Sequence, residues 1–105
     1  MEAALKAIAH AKRRAILELV WDAERTATDI AEGIGLSKPA TSQHLRVLKE
    51  AELVVVRADR NRRLYRVRLD RMEGLRAFLD DFWGGRLDAL KQTAERIHAE
   101  RSNGA

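Results

Sequence analysis

The chain has 105 residues, 46% hydrophobic and 34% charged, and no cysteine. That describes a single globular domain with a modest core and excludes disulfides, thiolate metal centres and thiol redox sensing. The net charge is +4, no apolar run approaches the roughly 18–20 residues of a membrane span, and the opening MEAALKAIAHAKRR has no secretory apolar core, so a cytoplasmic protein with no membrane partner is expected.

The charge is concentrated. Residues 37–68 hold nine Lys or Arg against Glu50, Glu52 and Asp59, a balance of +6 that leaves −2 for the rest of the chain. A solvated surface spreads its charge more evenly; one basic third fits a face that meets a polyanion.

Residues 2–22 place Leu5, Ile8, Ala9, Ile16, Leu17, Val20 and Trp21 at three- and four-residue spacings, an amphipathic helix. His10-Ala11-Lys12-Arg13-Arg14 can divide it into two, and Trp21 is expected in the core. Thr26-Ala27-Thr28-Asp29 resembles a capping box, opening a short helix with Ile30, Ala31 and Ile34 on one face. Gly35 supplies a left-handed residue that ends it.

Ser37 caps the next helix, about residues 37–51, with Pro39 in the first turn, where its missing N–H costs nothing. Thr41, Leu45, Leu48 and Ala51 share its inner face. Lys38, Ser42, Gln43, Arg46 and Lys49 lie on the outer one. Two short helices joined by Gly-Leu-Ser, the second polar and basic outside, make a helix-turn-helix.

The period then changes. Leu53 to Val56 is rich in β-branched residues, and Tyr65, Val67 and Leu69 alternate with Arg66 and Arg68. The intervening Ala58–Arg62 is a polar turn in which Asn61 is expected at positive φ. The result is a two-stranded hairpin with a basic tip, a wing over about residues 54–69.

Helical period returns over about 71–101, with Leu75, Phe78, Leu79, Phe82, Trp83, Leu87, Leu90, Ala94 and Ile97 on one stripe. Gly84-Gly85 interrupts it as a kink or a point of close helix approach. Ser102 to Ala105 reads as frayed. The fold class is mainly α with a small β-hairpin, four helices, hairpin and helix: a single winged helix-turn-helix domain.

SKPATSQHLRVLKEAELV (37–54), the lead-in AKRRAILELV (11–20) and RRLYRV in the wing (62–67) resemble the ArsR family of winged-helix repressors, over about residues 5–69. The resemblance implies a homodimer joined through its first and last helices, and a repressor bound at its own promoter. Metal-sensing members carry a cysteine pair before the recognition helix or His and carboxylate ligands on the last helix. Here Thr28-Asp29-Ile30-Ala31-Glu32 occupies the first place, and His98 with Glu95 the second. No metal or cofactor is therefore expected, and no inducer is specified; a metal-responsive repressor using His98, Glu95 or Glu100 is the alternative.

Lys38, Ser42, Gln43 and Arg46 are the expected base readers of double-stranded DNA: glutamine matches adenine N6 and N7, arginine guanine O6 and N7. Thr26, Ser37, His44 and Lys49 are assigned to phosphates, with His44 alternatively a half-buried packing residue. Wing arginines Arg57, Arg60, Arg62 and Arg63 join them; Arg60 and Arg62 at the tip suit the minor groove, while Arg66 and Arg68 can pair with carboxylates such as Asp70.

Leu5, Ile8, Leu75, Phe78, Leu79, Phe82, Trp83, Leu87 and Leu90 are the expected two-fold interface, because the domain is too small to bury both stripes. His10 and His98 are read as structural or solvent-facing. No catalytic motif is present, so no enzyme is expected. The leading reading is a sequence-specific, nucleoid-associated homodimeric repressor with an inverted-repeat operator. A non-specific architectural DNA binder and a helix-turn-helix turned protein-interaction module are its rivals.

Overall fold

The computed structural model describes residues 1–103. Its elements run α1 (Glu2–Ile8), α2 (Ala11–Leu19), β1 (Arg25–Thr26), α3 (Ala27–Ile34), α4 (Lys38–Glu50), β2 (Val54–Asp59), β3 (Arg62–Val67) and α5 (Leu69–Asn103). The strands form one antiparallel sheet in the order β1-β3-β2.

Local chemistry sets most boundaries. His10 divides the first helical stretch: its backbone is extended and its Nδ1 accepts from the backbone N–H of Lys12 at 3.1 Å. Thr26 Oγ1 accepts from the Asp29 N–H at 3.1 Å, and Ser37 Oγ from the Ala40 N–H at 3.2 Å, each satisfying an orphan donor of a first turn. Gly35 ends α3 at φ 69°, and the Leu36 N–H reaches back to the Ala31 carbonyl at 3.1 Å. Glu52, at φ 63°, makes the same left-handed exit from α4 without being glycine, and its carboxylate meets Arg71 at 2.7 Å.

Residues 1–73 form one compact unit and the chain from Gly74 onward another. In the first, Ile16 and Val20 of α2, Ile30 of α3, Leu45 and Leu48 of α4, and Leu53 have essentially no accessible surface, and Val54 and Val67 close the core from the sheet. Each is worth about 1.5–3 kcal/mol relative to exposure. The buried hydroxyl of Thr41 donates to the Ser37 carbonyl at 2.8 Å, so α4 packs inward without an unsatisfied polar group. The N–H groups of Val67 and Arg68 bond the carbonyls of Val20 and Leu53, tying the end of β3 to α2 and to the exit from α4.

Several expectations change. The hairpin gains a third strand, because Arg25 and Thr26 pair with Tyr65 and Leu64 along its free edge. The β2–β3 ladder runs from Val54↔Val67 to Asp59↔Arg62, leaving a two-residue turn of Arg60 and Asn61. The left-handed residue there is Arg60, at φ 59°, not Asn61: with Asp59 and Arg62 paired, the first turn residue reverses the chain. Leu69 begins α5 and is exposed rather than lying in a strand. Ala51 is half-buried as the C-cap of α4. Trp21 is 39% exposed, because α2 has ended and its indole lies in the bend beyond Val20 rather than on the buried face.

In the second unit the helix continues through Gly84-Gly85, and a Cβ at either would meet nothing within 4 Å. The helix is unbroken there. Phe78, Phe82 and Trp83 cluster: Phe82 stacks on Phe78 at 6.4 Å and meets Trp83 edge-on at 4.9 Å. The Arg86 guanidinium lies 4.8 Å over the Phe82 ring. Of the tail expected to fray, Ser102 and Asn103 are helical, and Gly104 and Ala105 lie outside the described residues.

Candidate nucleic-acid interface

With Thr41, Leu45 and Leu48 turned into the core, the 3.6-residue period leaves Lys38, Ser42, Gln43, Arg46 and Lys49 exposed on α4. Pro39, Ser42, Gln43 and Arg46 line one shallow concavity on that face. Arg46 Nη2 donates to Gln43 Oε1 at 3.0 Å, one helical turn apart.

Thr26 and Ser37 spend their hydroxyl oxygens on helix caps, as acceptors. What each leaves for an anion is its O–H donor beside the free N–H groups of a helix N-terminus. Thr26 also lines a second concavity, with Ala27, Thr28, Asn61, Arg62, Arg63 and Tyr65, so the start of α3 and the wing share one surface.

The wing arginines differ in a way spacing cannot reveal. Arg57 Nε meets Glu24 Oε2 at 2.6 Å, and Arg62 Nη2 meets Asp59 Oδ2 at 3.1 Å. Arg68 pairs with Asp70 at 3.2 Å, as the sequence suggested. Arg60 and Arg63 are exposed and have no ion pair among the described residues. Of Arg57, Arg60, Arg62 and Arg63, two are thus uncommitted, and two are held by carboxylates a phosphate must displace.

His44 is half-buried. Its ring lies 4.6 Å from that of His10, tilted by 53°, and its Nδ1 is 3.4 Å from Arg13 Nη1. Arg13 is anchored by the carbonyls of Ala7 and Lys6, at 2.7 and 3.1 Å. Burial, then the neighbouring His10 and Arg13, hold the His44 pKa below its ordinary 6.5. The neutral ring accepts at Nδ1 and carries its proton on Nε2. His44 thus lies half-buried against His10 and Arg13. Both His10 and Arg13 were missed as its partners, since a 31- to 34-residue separation leaves no periodic trace.

Leu5 and Ile8 are half-buried, and Ile8 packs on the core. Leu79 is half-buried, while Phe78, Phe82, Trp83, Leu87 and Leu90 are 39–63% exposed. Leu75 is 3% exposed in the single chain. Among the described residues no group of three or more His, Asp or Glu is placed to share a metal ion. No helix among them is long and apolar enough to cross a membrane.

The family described as "Bacterial regulatory protein, arsR family" matches residues 10–56, from the α2 cap into the wing. The HTH-type transcriptional regulator Rv2034 of Mycobacterium tuberculosis is 38% identical over 89 residues, 85% of this chain and 83% of the relative. The transcriptional repressor SdpR of Bacillus subtilis is 46% identical over 54 residues, 51% of this chain and 60% of the relative. A solution structure of the homodimeric winged helix-turn-helix DNA-binding domain of Mb0332 from Mycobacterium bovis aligns at a TM-score of 0.63 and 30% identity, covering 95% of this chain and 82% of the other. The chain belongs to the ArsR family of winged helix-turn-helix transcriptional regulators.

Proposed function

We propose that the protein is a sequence-specific repressor that binds an inverted-repeat operator in double-stranded DNA as a homodimer. The observation that carries this reading is the exposed face of α4, where Lys38, Ser42, Gln43 and Arg46 stand clear of the core. Arginine and glutamine are the side chains best suited to major-groove edges, each good pair being worth about 1–3 kcal/mol of discrimination. Lys49, the Ser37 and Thr26 caps and the uncommitted Arg60 and Arg63 supply phosphate contacts around it.

Two-fold assembly is supported by the apolar side chains α5 leaves in water. Phe78, Phe82, Trp83, Leu87, Leu90 and Ile97 are all exposed, more apolar surface than a monomer of this size usually leaves open. The M. bovis neighbour is described as a homodimer, and SdpR as a repressor.

The test is a binding titration against an operator selected from random duplex, beside unselected duplex at the same salt. The reading expects a motif of two inverted half-sites about 10–10.5 bp apart, bound at least about 10³-fold more tightly than unselected DNA. Equal affinity for both would replace sequence-specific repression with architectural binding.

A further inference from the structure

The 3.0 Å bond from Arg46 Nη2 to Gln43 Oε1 constrains what this face can recognise, given the reading above that it meets base edges. A glutamine tip alone offers one acceptor and one donor group, the complement of adenine, which presents N6–H₂ and N7. Here the acceptor half is already held by a cation. Arg46 holds one of that oxygen's two lone pairs through a charge-assisted bond, roughly twice as strong as a neutral one, so the N6–H₂ of adenine is left only the other. What the pair still presents is mostly donors: the remaining guanidinium N–H groups and both amide N–H groups of Gln43, against one remaining lone pair on Oε1. They border a concavity of about 190 Å³ whose other walls are Pro39 and Ser42. The Pro39 ring gives that concavity an apolar wall, against which a thymine methyl can pack. The Ser42 hydroxyl donates or accepts and adds no preference of its own.

We infer that Gln43 and Arg46 act as one donor-rich unit selecting two neighbouring acceptor edges in the major groove: guanine under Arg46, and guanine or thymine in preference to adenine under Gln43. Guanine offers N7 and O6, and thymine offers O4, with no donor among them. Adenine and cytosine each turn an amino group toward a surface made mostly of donors, where one remaining lone pair is all that can accept it.

The experiment selects duplexes from a random pool with the full chain, then measures Kd for the winner and for versions with each other base at the position beside the Arg46 guanine. The enriched base distinguishes guanine from thymine. The expected result is depletion of adenine there, and roughly tenfold weaker binding when adenine is introduced. Gln43→Ala should erase most of that discrimination. Because the residues act together, the Gln43→Ala, Arg46→Ala double variant should lose at least about fivefold less than the product of the single losses. Both side chains are exposed, and unchanged thermal unfolding confirms that each variant is folded. Adenine enriched at that position, or single losses that multiply to within about twofold, overturns the donor unit while leaving base reading by α4 intact. A pool that yields no motif, or a preference neither variant moves, overturns base reading by this face and the inference with it.

Discussion

Replacing Glu24 by Gln should strengthen DNA binding, although it removes an ion pair from the wing. The Glu24 carboxylate holds Arg57 Nε at 2.6 Å, with side-chain exposures of 29% and 58%. A pair this open contributes only about 0.2–1 kcal/mol to folding, so the sheet should survive its loss. The effect on DNA is of the same order for each contact and is read from the salt dependence. A phosphate reaching Arg57 must now displace a carboxylate, and in the variant it meets a free guanidinium instead. Each newly available phosphate contact steepens the slope of log K against log salt by about 0.9. In a homodimer two such contacts are released, for a slope change of about 1.8. At 0.15 M salt that is about fivefold tighter per contact and about thirtyfold per dimer, shrinking to about threefold or fourfold at 0.5 M. The assay is a fluorescence-anisotropy titration of operator duplex across that salt range, with Arg57→Ala and the double variant in parallel. An unchanged slope, or a gain that persists in the Arg57→Ala background, would refute the reasoning and make the Glu24–Arg57 pair purely a strut of the sheet.

Arg60→Ala and Arg63→Ala, by contrast, should each flatten the same slope by about 0.9 per protomer, on operator and random duplex alike, because neither arginine is engaged by a carboxylate. Phe82→Glu should leave the monomer folded, since the ring is 48% exposed, but should shift sedimentation from dimer to an 11.9 kDa monomer and weaken operator binding with it. A variant that stays dimeric would move the interface elsewhere. His44 is held below its ordinary 6.5 by burial, His10 and Arg13, so just below pH 6.5 the unfolded chain binds more protons than the folded one. Stability should therefore fall as pH falls through 6.5 until folded His44 is itself protonated, and denaturant titrations should show a shallower fall in His44→Gln. Leu48→Ala, at a site with no accessible surface between the helix-turn-helix and the sheet, should cost about 2–5 kcal/mol in the same titration.

The helix-turn-helix was legible in the sequence because its determinants are local. Thr26 and Ser37 cap first turns within three residues of themselves, Gly35 is the residue that tolerates φ 69°, and Leu45 and Leu48 declare their face by spacing alone. The same periodicity fixed which side chains of α4 stay outside. What it could not set is any pairing between distant segments. Arg25 and Thr26 are too short a run to announce a strand, and become one only because β3 presents a free edge. His10 looked solitary until the packing of α2 against α4 brought it 4.6 Å from His44. Nine arginines and lysines in one third of the chain declared a basic face, yet Glu24, 33 residues before Arg57, decides that this arginine is held while Arg60 is not. Charge and period are properties of a string of residues. Which charge remains free depends on which carboxylate the fold places beside it, and only tertiary structure sets that distance.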